Sequence, residues 1–388
     1  MKKLVIVNNN MKVGGVQKSL CNLLWELEGQ YEITLCLFDA HGGCMEQLPP
    51  GVKVVTCRGP MRYLGLSQGQ CRGIHKLLRG ALALLCRGIG RDRVVKLLLP
   101  LEKKLPEEYD CAIAFLHNGT IGSFYGGVQE FVLHRVRARR KVAFLHCDYE
   151  NSGANHPRNN RTLRRFDRIA ACSDGCRQAF LRVMPDMEEK CATVRNFHPY
   201  AQIRSLAEEK VVPYEKGKIH GLIVARLAHE KGIERGILAV EQARKAGFDM
   251  VLHLVGSGGM EPQLRQMVQQ QGLEEAVRFH GEQVNPYPYM AGADLFLLTS
   301  YHEAAPMVVD EAVCLGLPVL TVRTTSSHDM VTQRAAGWVC DNDQQALNEA
   351  LLEILRHPDR LKAVKTDLQN QTVDNSAAAQ QLRALIEG

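Results

Sequence analysis

Short apolar segments (LVIVN, EITLCLF, VKVVTC, CAIAFLH, KVAFLH and RIAACS) alternate with helical stretches such as VQKSLCNLLWELEG, and this alternation limits the possible folds more than any other feature of the sequence. Strands separated by helices pair in parallel, so the pattern predicts a doubly wound parallel sheet. After Asn196 the chain turns polar and rich in breakers (FHPYAQIRSLAEEKVVPYEKGK). A second series then opens near Ile219 with HGLIVARL, DMVLHLVGSG, AVRFHG, ADLFLLTS and PVLTVR. The expected fold class is therefore α/β, with two Rossmann-like domains, 1–205 and 206–372, facing a cleft. A length of 388 residues at 45% hydrophobic content suits two ordinary cores. A charged stretch at 343–370 reads as one helix, and the last helix, within 373–388, can pack on either domain.

Open parallel sheets bind ligands at the carboxyl ends of their strands, so residues that follow strands are the first candidates. The stretch EAAPMVVDE places Glu303 ahead of a helix and Glu311 in its second turn, with Pro306 expected at the first helical position and Gly316 and Pro318 ending it. The free N–H groups and positive dipole end of such a helix suit a phosphate. Glu311 can accept hydrogen bonds from a diol such as ribose, and Glu303 can meet a sugar hydroxyl. Taken alone, the two are equally a helix-entry residue and a solvated helix position.

In VARLAHEKGIERGI, Arg226 and Lys231 lie near a strand-to-helix turn containing Gly232, and two cations there suit a diphosphate. Ordinary surface charges are the plain alternative. Gly14 and Gly15 follow the first strand, where a glycine loop lets the backbone approach a phosphate or sugar. Neither this loop nor VGSGGME completes GxGxxG, which argues against a nicotinamide enzyme. His146 in FLHCDY ends an apolar strand and projects toward the expected cleft. His117, followed by Asn118 in FLHNGT, has the same context and can shape an acceptor pocket. For both histidines a buried structural role is the alternative. HExxH, paired CxxC and strand-flanked DxD are all missing, so no metal site is expected.

A net charge of +6 is too mild to imply a nucleic-acid partner, but its distribution is uneven. From Cys57 to Lys104, 11 Lys and Arg face only Asp92 and Glu102, an excess of 9. Within that segment GIHKLLRGALALLCRGIG sets apolar and basic residues at helical intervals, which suits an anionic membrane surface; a solvated or partly packed helix pair is the alternative. No window approaches the roughly 18 to 20 apolar residues needed to cross a bilayer, so any membrane contact is expected to be peripheral. MKKLVIVNNN is too short in its apolar run for a signal-peptide core and reads as a buried strand. With 13 cysteines and no CxxC, a reducing, cytoplasmic setting is expected.

Together, GGVQ, HCDY, VARLAHEKG, VGSG, FHG, ADLFLLTSYHEAAPMVVDEAVCLGLPV and GWV resemble the retaining family-four glycosyltransferases of GT-B fold, most densely in the C-terminal half. In the N-terminal half the resemblance rests on the glycine loop, the His146 strand and ACSDGCRQAF followed by VRNFHP. It implies an N-terminal acceptor-binding domain and a C-terminal domain for a nucleotide-sugar, most simply a UDP-sugar. It places Arg226 and Lys231 on the donor diphosphate, Glu303 on the transferred hexose, Glu311 on the ribose and His146 near the sugar. Gly14 and Gly15 close over the phosphates. The backbone around Ala305, Pro306 and Met307 approaches phosphate and sugar, although Pro306 supplies no N–H. The stretch HGEQVNPYP, with Val284, meets the base through backbone groups.

The resemblance further implies retention of anomeric configuration without metal or other cofactor. The implied acceptor is a free or lipid-linked saccharide in bacterial surface-polysaccharide synthesis, as in capsule, exopolysaccharide or O-antigen assembly. Two positions depart from the pattern: Ala304, where glycine is usual, adds a methyl that narrows the hexose pocket, and Asp310 stands where an apolar residue is usual. A catalytically silent protein of the same fold that binds lipid or a partner, and a sugar-nucleotide epimerase or hydrolase, are the competing functions.

Overall fold

Both series of strands close into all-parallel sheets in the computed structural model, which describes every residue of 1–388 except Gln68 and Gln70. The chain divides into two units, Met1–Phe197 with Asn375–Gly388, and His198–Asp374.

The first unit holds β1 (Lys3–Asn8), β2 (Glu32–Leu37), β3 (Lys53–Thr56), β4 (Glu108–Ala114), β5 (Arg137–Leu145), β6 (Arg168–Ala171) and β7 (Cys191–Thr193), in the spatial order β3-β2-β1-β4-β5-β6-β7. The chain order reverses at the β1/β4 pair, where Leu4 is opposite Cys111 and Val7 opposite Ala114. Helices cover both faces, so Leu4, Ile6, Leu35, Ile113 and Phe144 alternate within continuous apolar runs and are all buried. The edge strand β7 was not anticipated. Its three residues, Cys-Ala-Thr, are too few to show a periodicity.

The last helix, Ser376–Glu387, belongs to this unit. It buries Leu382, Leu385 and Ile386 in the cluster that contains Leu4 and Ile33. Tyr31 Oη donates to Glu387 at 2.8 Å beside that contact.

The second unit holds β8 (Ile219–Val224), β9 (Met250–Val255), β10 (Val277–Phe279), β11 (Leu295–Leu298), β12 (Val319–Val322) and β13 (Gly337–Cys340), ordered β10-β9-β8-β11-β12-β13. Here the order reverses at β8/β11. The half-buried β13 was not recognised as a strand from GWVC. Nor is 343–370 one helix: it breaks into Gln344–Arg356 and Pro358–Asn370, because Pro358 has no N–H to continue the ladder and pushes His357 out of helical geometry (φ −123°, ψ 63°). Helix Tyr200–Glu208 lies wholly in this unit, where Ile203 and Ala207 pack with Tyr287 and Phe296. The units therefore part at 197/198 rather than at 205/206.

Because the last helix completes the first unit's core, Leu382→Ala should cost that unit about 2–5 kcal/mol. Calorimetry should show the transition of the first unit lowered and that of the second unchanged; an unchanged first transition would mean that the helix is not part of that core.

Candidate functional site

In the second unit the strand-order reversal sends the loops after β8 and β11 out side by side, and these loops carry the expected donor residues. The β8 loop runs through the short turn His229–Lys231 to Gly232, whose φ of 57° opens helix Ile233–Lys245. A side chain at Gly232 would bring its Cβ within 2.4 Å of the Thr299 carbonyl oxygen, so only glycine lets the two loops approach this closely. Hydrogen bonds fasten them: Tyr301 N–H donates to the Glu230 carbonyl at 3.0 Å, and Thr299 Oγ1 to the Lys231 carbonyl at 3.2 Å. Tyr301 adds a hydroxyl bond to Glu234 at 2.8 Å and a stacked contact with the His229 ring at 5.3 Å.

The outcome is an ion pair between residues 72 positions apart, Lys231 Nζ to Glu303 Oε1 at 2.7 Å, with the glutamate side chain only 10% exposed. An ammonium has three donors, so this bond leaves Lys231 able to receive an anion as well. Arg226 behaves differently. Its side chain is 71% exposed and pairs with Glu230 along the same turn, an arrangement that adds little to stability. Lys231 is thus held in place by its partner, whereas Arg226 remains a surface cation.

The helix after Glu303 spans Met307–Cys314. Pro306 is its N-cap, with ψ 109°, rather than its first helical residue, so the helix starts one residue later and ends slightly earlier than the sequence suggested. Glu311 is buried at 4% exposure, which removes the solvated alternative. Ala305 packs against the apolar cluster that holds Val309 and Val313, Met307 is buried, and Val284 on the loop after β10 is fully exposed. Asp310, unusual in its place, has two partners: His198 Nε2 at 3.3 Å and the Arg334 guanidinium. Burial alone would push its carboxyl up, but His198 and Arg334 outweigh burial and hold it at about 2. Asp310 therefore ties the start of this helix to the first residue of the unit and to Arg334.

The VGSGG stretch after β9 serves backbone packing. A Cβ at Gly256 would meet the Ala225 carbonyl oxygen at 1.9 Å, and Leu227 N–H donates to the Ser257 carbonyl at 2.8 Å. Beside it runs a chain of imidazoles that the sequence did not reveal. His220 Nε2 lies 2.8 Å from the Glu215 carbonyl oxygen, His220 Nδ1 2.9 Å from His253 Nε2, and His253 Nδ1 2.9 Å from His280 Nε2. A carbonyl only accepts, so His220 carries its proton on Nε2, and each following neutral ring donates from Nε2 and accepts at Nδ1. Burial, reinforced by the neighbouring imidazoles, holds His253 down at about 3. The chain ends where the loop carrying Val284 begins, and Gln283 Nε2 donates to the His280 carbonyl at 2.7 Å.

In the first unit Gly14 caps helix Gly15–Leu27 directly beyond β1, and a Cβ at Gly15 would meet nothing within 4 Å. His117 and His146 follow β4 and β5. His146 packs 4.6 Å from the Phe115 ring and 5.7 Å from Phe144. Burial lowers His117 to about 4, with Arg91 adding to the effect, and His146 to about 3, with His117 adding. Both rings are neutral near pH 7. His117 Nδ1 and His146 Nε2 are buried without a hydrogen-bond partner, so each has a ring nitrogen that no protein group uses.

Asn118 does not. It is buried, its Nδ2 donates to both oxygens of Glu130 at 2.9 and 3.2 Å, and its Oδ1 accepts from Gly127 N–H at 3.2 Å. Its amide holds the loop and leaves no group for an acceptor. Arg91, one of the 11 basic residues of 57–104, is fully buried, and donates to the Thr120 carbonyl at 3.0 Å, Ser123 Oγ at 2.6 Å and Asn159 Oδ1 at 3.3 Å. Among the described residues no group of three or more His, Cys, Asp or Glu is placed to hold a metal, and no helix is long and apolar enough to cross a membrane.

Comparison with known proteins adds to this geometry. The family described as "Glycosyl transferases group 1" matches residues 207–371, most of the second unit. A putative colanic acid biosynthesis glycosyltransferase, WcaL of Salmonella typhimurium, is 30% identical over 177 residues, covering 42% of this chain and 44% of WcaL. The amylovoran biosynthesis glycosyltransferase AmsK of Erwinia amylovora is 30% identical over 142 residues, covering 34% of this chain and 35% of AmsK. The matched stretches thus span less than half the length of these curated relatives. Among solved structures, Anabaena HepE in complex with UDP and glucose aligns over 100% of both chains with a TM-score of 0.67 at 19% identity. WaaG, a glycosyltransferase involved in lipopolysaccharide biosynthesis, aligns over 99% of this chain and 100% of its own, with a TM-score of 0.65 at 16% identity.

Removing the cation at Arg334 leaves Asp310 buried with one partner fewer, so Arg334→Leu should destabilise the second unit by about 3–5 kcal/mol in urea denaturation. The Asp310 carboxyl is depressed from 3.8 to about 2 in the folded chain. Its contribution is therefore full above pH 4 or so and lost as pH falls through about 2. The stability difference between wild type and Asp310→Asn should shrink across that window.

Proposed function

We propose, from the membership of residues 207–371 in the group 1 glycosyl transferases, that the whole chain is a GT-B glycosyltransferase that moves a sugar from a nucleotide-sugar to a saccharide or lipid-linked saccharide in bacterial surface-polysaccharide synthesis. The observation that carries this reading is the Lys231–Glu303 pair, held at the β8/β11 reversal just ahead of a helix N-terminus. In this reading the second unit takes the donor and the first the acceptor, at a cytoplasmic site of action. UDP is the favoured nucleotide; it is the one bound in the Anabaena HepE structure.

As the sugar leaves, negative charge grows on the departing diphosphate. A fixed ammonium and a helix N-terminus stabilise that charge without having to reorganise. Lys231 is the principal cation. Arg226, already exposed, turns from Glu230 to the phosphates, and the N–H groups of Ala305 and Met307 complete the cradle. Glu303 holds Lys231 in place and accepts a hydroxyl of the transferred sugar. Glu311, buried and acidic, receives the ribose hydroxyls, and the backbone at Val284 meets the base. No metal or other cofactor is assigned, since the protein's own cations supply the charge. The acceptor hydroxyl attacks on the face the nucleotide leaves, which gives retention. In the first unit the unpartnered nitrogens of His117 and His146 take up sugar hydroxyls, and the open helix start at Gly14 and Gly15 admits a phosphate.

Lys231→Ala should lower turnover on the order of 10²-fold, the usual effect of deleting one charge-stabilising donor. Near-normal turnover would remove Lys231 from the mechanism. Donor identity is read by thermal shift against UDP, GDP, ADP and their sugars, because a ligand at about 100 times its Kd adds about 2.7 kcal/mol to the folded state. A shift with one nucleotide family supports the reading and names the base. Silence across the panel from well-folded protein overturns it, and release of free or epimerised sugar without an acceptor favours a hydrolase or epimerase.

A further inference from the structure

The helix Ile74–Ile89 in the first unit is turned inside out. At about 3.6 residues per turn, Ile74, Leu77, Leu78, Leu84, Leu85 and Ile89 share one side. That side faces solvent: Leu77 is 74% exposed and Leu84 67%. The opposite side, which packs on the protein, carries an arginine: Arg79 Nε donates to the Leu66 carbonyl at 2.9 Å, and its guanidinium lies 4.4 Å from the Phe124 ring centroid. Only Cys86 of this helix is buried. Folding has thus placed the apolar stripe outward, against the usual rule for a helix on a globular unit.

The charges around it are sorted in a complementary way. The two acids between Cys57 and Lys104 are both used internally: Asp92 pairs with Arg158 at 2.8 Å, and Glu102 accepts from the N–H groups of Gly59 at 2.9 Å and Met61 at 3.2 Å. Arg72, Lys76, Arg87, Arg93 and Lys96 are exposed, and among the described residues none of them forms an ion pair. Within 72–96 the chain therefore exposes leucines and unpaired cations and no acid.

We propose that this face docks on an anionic lipid bilayer, with the helix lying in the interface and its leucines among the acyl chains. The chemistry favours lipid over the other occupants. Nucleic acid would meet the cations but leave the leucine stripe in water. A second copy of this chain using the same face would set its cations against their own kind. At 16 residues the helix is shorter than the roughly 20 needed to span a bilayer, so it lies along the surface. The inference deepens the acceptor side of the proposed function and rests on that reading only for its purpose, since a lipid-linked sugar is presented at such a surface.

The test uses the full chain without donor or acceptor, in co-sedimentation with vesicles of phosphatidylcholine alone or mixed with phosphatidylglycerol. Binding is expected only with the anionic vesicles and should weaken with salt as the charges are screened over about 10 Å at 0.1 M. Leu77→Ser/Leu84→Ser should reduce it about tenfold or more, given the apolar surface each leucine removes from water. Lys76→Glu/Arg87→Glu should reduce it as well, and neither pair should shift the thermal midpoint. In a Leu85→Trp variant, tryptophan emission should shift to the blue on binding and be quenched by brominated lipid.

Absence of anionic-vesicle binding by the wild type would overturn the proposal, as would equal binding to neutral vesicles. So would a solution dimer that the serine pair dissolves. The nucleotide thermal shift reads the second unit independently. Failed vesicle binding with an intact shift therefore removes this inference and leaves the glycosyltransferase reading in place.

Discussion

Gly232 and the Thr299 carbonyl approach more closely than any residue with a Cβ would allow, and the Lys231–Glu303 pair of the second unit depends on that approach. Strand reversal brings the two loops to the same place, but only a backbone without a side chain lets one helix start against the end of the next strand. Once the loops touch, Tyr301 fastens to Glu230 and Glu234, and Lys231 falls within 2.7 Å of Glu303. A cation and a carboxylate distant in sequence are thereby fixed before any ligand arrives. That is the condition under which electrostatic stabilisation costs nothing at the moment of reaction.

The parallel sheets were legible because strands buried on both faces leave unbroken apolar runs, as LVIVN and MVLHLV do. The edge strands were not: β7 is too short, and β13 is only half buried and has no such run. The break at Pro358 was readable in principle, since proline opens helices and cannot continue them. Lys231 and Glu303 were legible as residue types after strands, and Gly232 marked the turn between strand and helix. Their pairing was not legible, because a hydrogen bond across 72 positions leaves no trace in local spacing. The partners of Asp310, the internal use of Asn118 and the His220–His253–His280 chain were hidden for the same reason: each is a relation between strands or loops, and sequence periodicity reports only along one element.

Charge is distributed by location more than by count. The basic segment reads as an excess of nine on paper, yet Arg91 is inside, and Asp92 and Glu102 are engaged internally. The interior histidines show the converse. Burial keeps His117, His146 and His253 neutral, so that they serve as directional hydrogen-bond groups and not as charges. All 13 cysteines are free thiols, and burial raises several of them, among them Cys111, to about 12, which leaves them poor nucleophiles.

The chain leaves its first unit at Phe197, builds the whole of the second, and returns at Asn375 with the helix that fills the core beside Leu4 and Ile33. On a ribosome the two units would then mature in the reverse of the order in which they begin. The second has all its strands and helices before the final helix emerges, while the first, synthesised earlier, waits with an apolar groove open. The groove cannot close until 375–388 have been made, so loss of that helix would be felt in the part of the protein made first.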